Sequence, residues 1–98
     1  MDYLKKSPRV VAKEQISSFV FPSDDVLSDE HAIKLREGQL GLALALGNIE
    51  HQKVRIYFHD NEAYKLVETT IWALTNDRIV LKGGAGIPIH RIFEVTII

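Results

Sequence analysis

Five side chains that can bind a metal or move a proton, His51, His59, Asp60, Glu62 and His90, fall in the second half of this 98-residue chain. Imidazole and carboxylate together suit zinc, nickel or iron. Their spacing does not, because none of them stands at the i, i+4 interval of a helical H-E-x-x-H site, and they are read as separate surface groups. All five serines lie within the first 28 residues, with no His and Asp arranged to activate one as a nucleophile. The glycine cluster "GGAG" at residues 83 to 86 has the composition of a phosphate cradle, but a cradle opens a helix and here a strand follows, so a hairpin turn is expected. Glu68 interrupts an apolar run and is assigned to a solvent-facing strand surface, since burying it unpaired would be costly. No catalytic set remains, and the chain is read as a non-enzyme with no cofactor.

One arrangement could bind rather than react. Trp72, Tyr57 and Tyr64 with Arg55 and Arg91 could form a stacking platform with cationic edges, as single-stranded nucleic-acid binders use. Against this, a small core needs a bulky residue in its middle, and Trp72 is assigned there. The contact patch expected from the remainder is Lys53, Arg55 and Tyr57 on one wet strand face, joined by Arg91.

Charge argues in the same direction. Twelve Lys and Arg against thirteen Asp and Glu give a net charge of -1, without the basic excess that sequence-independent nucleic-acid binders carry. The balance also holds locally, at four of each sign over residues 1 to 27 and six of each over residues 49 to 98. With no cysteine there can be no disulfide framework or thiolate metal site. No apolar run is long enough to span a membrane, and the opening MDYLKK lacks the apolar stretch of a signal peptide, so a cytoplasmic location and no membrane partner are expected.

The elements that must position these residues can be read from pattern. Residues 1 to 27 form a leader arm, partly extended or flexible, whose island Ile16 to Phe21 has the composition of a strand that pairs with an available edge. Ser28 followed by Asp29 and Glu30 marks a helix start, and Gly47 marks its end. Within it Leu40, Leu42, Leu44 and Leu46 alternate like a strand, but Ala and Leu favour helix, and helix is chosen. Such an apolar helix needs cover on more than one side, so Leu40, Leu42 and Leu44, with Phe19 and Phe21 of the leader, are candidate interface residues. "KVRIYFHD" alternates as a half-buried strand, "YKLVETTIWAL" is long enough to bend across two halves of a barrel, Asn76-Asp77 is a turn, and a 3₁₀ turn at His90 to Ile92 accounts for a phase shift before the last strand.

A helix, a long bent strand, two short hairpin strands and a final strand after a 3₁₀ turn resemble the SH3-like small barrels in their Sm-like arrangement. "VRIYF", "VETTIWAL", "IVLKGG" and "IPIHRIFEV" resemble the small Rho-binding antitermination proteins, which implies a transcription-regulatory or nucleic-acid-binding role as an alternative. The helix exit from Leu46 to Val54 and the strand "TTIWAL" from Thr69 to Leu74 look like those of short uncharacterised bacterial proteins, a likeness that implies no activity. The expectation is therefore an α+β protein: a leader over residues 1 to 27, then, over residues 28 to 98, an N-terminal helix followed by a five-stranded SH3-like barrel. Its expected function is non-catalytic protein interaction or self-association.

Overall fold

The computed structural model describes residues 7–98, so the first six positions of the expected leader arm lie outside the described residues. The chain is α+β. In order come β1 (Arg9–Val10), a 3₁₀ turn (Lys13–Ser18), α1 (Glu30–Glu50), β2 (Val54–His59), β3 (Tyr64–Thr69), β4 (Ile71–Leu74), β5 (Arg78–Leu81), β6 (Gly86–Pro88), a second 3₁₀ turn (Ile89–Arg91) and β7 (Ile92–Ile97).

Residues 39 to 46 are helical, as Ala and Leu propensity requires. The helix start falls one residue later than Ser28: Asp29 is the cap, its carboxylate accepting from the Ala32 N–H at 2.9 Å. At the other end α1 runs through Gly47 to Glu50, and His51 closes it in the left-handed conformation at φ 56°. Gly47 is a contact residue rather than a terminator. A Cβ there would come within 2.5 Å of the Ile71 carbonyl oxygen, so only glycine lets α1 approach β4 this closely. Leu40, Ala43 and Gly47 form the buried stripe of the helix, at the i, i+3, i+7 spacing of one face.

The strands form two sheets, ordered β1-β3-β2-β7 and β4-β5-β6. β3 and β4 are the two halves of the expected long bent strand, broken at Thr70 as the chain passes from one sheet to the other. Gly83 and Gly84 turn the β5–β6 hairpin at φ 96° and 99°, and the second 3₁₀ turn, one residue earlier than expected, carries the chain back to the first sheet. Three features depart from the sequence reading. The island Ile16 to Phe21 forms no strand, since its first half belongs to the 3₁₀ turn and the strand of the leader is β1. The helix is not N-terminal, because β1 and the first 3₁₀ turn precede it. Nor do the two sheets close on each other by strand pairing. On the flank of β7 away from β2, α1 supplies partners instead: the Gln39 side-chain oxygen accepts from the Val95 N–H at 2.9 Å, and the Arg36 guanidinium donates to the Ile92 carbonyl at 3.0 Å. Covering an edge with a helix removes the template that a free strand would offer to another chain.

The core lies between the sheets and under the helix, built from Val54, Ile56, Phe58, Val67, Ile71, Ile79, Leu81, Ile87 and Ile92, with Ile16 from the leader and Leu40 and Ala43 from α1. Phe58 is its central aromatic side chain, fully buried. Phe19 and Phe21 of the leader pack on it at ring-centroid distances of 6.4 and 6.1 Å.

Candidate functional site

The alternation of β2 points Val54, Ile56 and Phe58 inward and leaves Lys53, Arg55 and Tyr57 toward solvent, as the sequence implies. This face is largely self-satisfied. Arg55 sits directly across from Glu68 on β3, and their 2.6 Å ion pair raises the guanidinium pKa and cancels the charge that the patch was to offer. Glu68 is thus on the wet surface assigned to it. Tyr57 stacks on Tyr64 at 6.2 Å, and Tyr64 meets Phe93 edge-on at 5.4 Å.

Arg91 does not belong to the patch. It is 6% exposed, and its guanidinium donates to the His59 carbonyl and the Asp24 carbonyl, both at 2.9 Å, tying the second 3₁₀ turn to the end of β2 and to the leader. Other polar residues that drew attention in the sequence are similarly occupied. Asp60 accepts from the Lys65 ammonium and from the Glu62 and Ala63 N–H groups, and His90 shares a hydrogen bond with the Pro22 carbonyl. Among the described residues, no three His, Asp or Glu side chains are grouped as a metal would require.

The candidate interface residues divide. Leu40 is in the core, while Leu44, Phe19 and Phe21 are partly buried against it, so the leader covers the sheets from within the same chain. Leu42 is different: it is 54% exposed, between Leu35 at 53% and Ile49 at 78%. With Gly38 and Ala45, also exposed, these residues fall at 35, 38, 42, 45 and 49. That is the alternating 3 and 4 spacing of a helix-pairing seam, and it lies on the side of α1 opposite the buried stripe. Large residues occupy one seam position throughout and small residues the other. A Cβ added at Gly38 would meet nothing within 4 Å, and no residue from Gly38 to Ile49 is charged.

A second surface surrounds Trp72. Ile71 pairs with Leu81 and Ala73 with Val80, which leaves Trp72 as the extra residue of a bulge. A bulge re-aims its side chain, and the indole is 49% exposed instead of filling the core. Trp72 lines a cavity of about 420 Å³ with His51, Lys53, Thr70 and Lys82, and no carboxylate is among them. The backbone holds these groups together: Lys82 N–H donates to the Thr70 carbonyl at 2.9 Å, and the Thr70 hydroxyl reaches the His51 carbonyl at 3.4 Å. The sequence reading took His51 only as a possible metal ligand and did not join it, Thr70 or Lys82 to Trp72. The only local signal was the placement of Trp72 immediately after the bend. Among the described residues, no helix is long and apolar enough to cross a membrane.

No family model, curated protein or solved structure matches the chain.

Proposed function

We propose that the chain is a non-catalytic self-association module in which the outer seam of α1 pairs antiparallel with the same seam of a second copy. The alternation of large and small residues along that seam carries the reading. In an antiparallel pair the layers bring one seam position against the other: Leu35 against Ala45 of the second copy, Leu42 against Gly38, and Ile49 against His31. Every large side chain then meets a smaller or polar one, the interdigitation that close packing needs. A parallel pair would stack leucine on leucine and glycine on glycine, leaving gaps along the small layers. The uncharged stretch from Gly38 to Ile49 places no like charges across the centre. In the same reading the two sheets, continuous through the bend at Thr70 and the second 3₁₀ turn, serve as an SH3-like small barrel completed by α1, and the barrel's role is to hold the seam rigid.

The seam runs about 21 Å along a single helix face, too little to bury the roughly 800 Å² per partner of a standard stable interface. Pairing is therefore reversible and concentration-dependent. Sedimentation equilibrium over about 10 to 500 µM tests it, a range set for weak association. The wild-type chain should shift from monomer toward dimer mass, and Leu42→Glu should remain monomeric with unchanged circular dichroism. A wild-type chain that is monomeric across the range, or a Leu42→Glu variant that dimerises equally well, would overturn the reading.

A further inference from the structure

We infer that the Trp72 cavity is a binding site for a nucleotide unit, with a base stacked on the indole and its phosphate held by Lys53 and Lys82. Most cations elsewhere among the described residues are paired, Arg9 and Arg78 excepted. Lys13, Lys34, Arg36, Arg55, Lys65 and Arg91 each have a carboxylate partner within 4.0 Å. Among the described residues, Lys53 and Lys82 make no ion pair, and both converge on the chain's single, half-exposed tryptophan. An unneutralised ammonium pair beside an exposed aromatic face offers the two contacts that a nucleotide presents together, a π surface and an anion. Each contact alone is common on protein surfaces.

His51 adds a third donor at the mouth. Its backbone is in the left-handed region, which a residue with a Cβ rarely adopts, and two bonds hold it there: its N–H to the Gly47 carbonyl at 3.1 Å and the Thr70 hydroxyl to its own carbonyl. The backbone of His51 is thereby fixed beside the cavity that the residue lines, which places its imidazole within the site's reach. The volume of about 420 Å³ is within the range of small-molecule sites. Lys82 also lines a neighbouring cavity of about 340 Å³ with Lys13, Glu14, Ser17, Gly83, Gly84 and Ala85, so one cation borders both hollows. Two hollows bordered by one cation suit neighbouring nucleotides of a single strand. The net charge of -1 makes binding local, through few phosphate contacts, rather than a property of the whole surface.

Because the protein has one tryptophan, its own fluorescence reports occupancy. Titration with a single-stranded oligouridylate and, separately, with uridine monophosphate should give saturable quenching. Tighter binding of the oligomer identifies a strand as the natural ligand, and equal binding identifies a free nucleotide; both support the site. Lys53→Ala and Lys82→Ala, both exposed positions, should each weaken binding several-fold and reduce its dependence on salt. Trp72→Ala, followed by anisotropy of a labelled oligomer, should weaken binding roughly 5- to 100-fold, the range for loss of one base stack. Absence of saturable quenching by either ligand would overturn the proposal, as would salt-independent binding or full affinity in both lysine variants.

Discussion

Gly47 and Ile71 are in such close contact that the hydrogen on the glycine Cα, and nothing larger, fits against the Ile71 carbonyl oxygen. A Cβ at this point would lie 2.5 Å from that oxygen and 3.2 Å from the Thr70 methyl carbon. Backbone oxygen cannot give way as a flexible side chain can. Gly47→Ala should therefore destabilise the fold by about 1–3 kcal/mol, the usual cost of overpacking, despite alanine's better helix propensity. Gly41→Ala, where a Cβ meets nothing within 4 Å, should instead stabilise by up to about 1 kcal/mol. Urea denaturation of both variants measures the contrast, and equal midpoints would refute it.

Lys65 and Asp60 form a buried ion pair, with the ammonium also 3.7 Å from the centre of the Phe19 ring. Removing only the cation strands a buried carboxylate. Lys65→Met should cost about 3–5 kcal/mol, the range for breaking one side of a buried pair. Phe19→Leu, which keeps the pair and most of the apolar contact, should cost less, about 1–2 kcal/mol including the lost cation–π term. Chemical denaturation at neutral pH ranks them, and a Lys65→Met loss smaller than that of Phe19→Leu would show that the pair is dispensable.

Acid should weaken the fold through two carboxyls. Burial alone would raise the pKa of Asp60, but the Lys65 ammonium and the Ala63 and Glu62 N–H groups outweigh it and leave the value below the ordinary range. At Asp25 burial is likewise outweighed, by the Arg36 guanidinium and the Leu27 N–H. A depressed folded-state pKa means that the unfolded chain takes up protons first. The stabilisation is fully present above about pH 5 and is lost as pH falls below about 4, through the depressed values. Urea midpoints should be flat between pH 7 and pH 5 and should drop by pH 3. The drop should shrink in Asp60→Asn, and an identical drop in that variant would assign the acid sensitivity elsewhere.

Arg91 should behave as a structural residue in any binding assay. Its fork joins the His59 and Asp24 carbonyls, a geometry that lysine cannot reproduce. Arg91→Lys should lower stability by about 1–3 kcal/mol while leaving oligonucleotide affinity unchanged at temperatures where the variant is folded. An affinity loss matching that of Lys82→Ala would return Arg91 to the binding surface.

Much of the fold was legible because local chemistry and burial agree. The helix over residues 39 to 46, the inward set Val54, Ile56 and Phe58, and the turn at Gly83 and Gly84 all follow from propensity, alternation and φ preference. The departures share a cause: each depends on a residue far away in sequence. Trp72 looks like core until Ile71 and Ala73 are found opposite Leu81 and Val80, a two-for-one pairing that no local pattern encodes. Phe19 and Phe21 look like interface residues until Phe58 receives them within the same chain. Gly47 reads as a terminator because its neighbour across the helix, Ile71, is 24 residues on. For the same reason nothing in the sequence links His51, Lys53 and Lys82 to one another, and they meet only when β4 and β5 pair beside the helix exit.

The strap that Arg91 closes on Asp24 joins residues 67 positions apart, which sets an order of events during synthesis. Translation proceeds at about 5–20 residues per second, so the leader emerges roughly 3–13 seconds before the side chain that fastens it exists. Over that interval Phe19 and Phe21 have no complete bed to occupy, and the nascent chain displays this apolar segment before the residues that fasten it exist. Chaperone engagement and co-translational aggregation should therefore centre on residues 16 to 21, and a slowly translated C-terminal half should aggravate both.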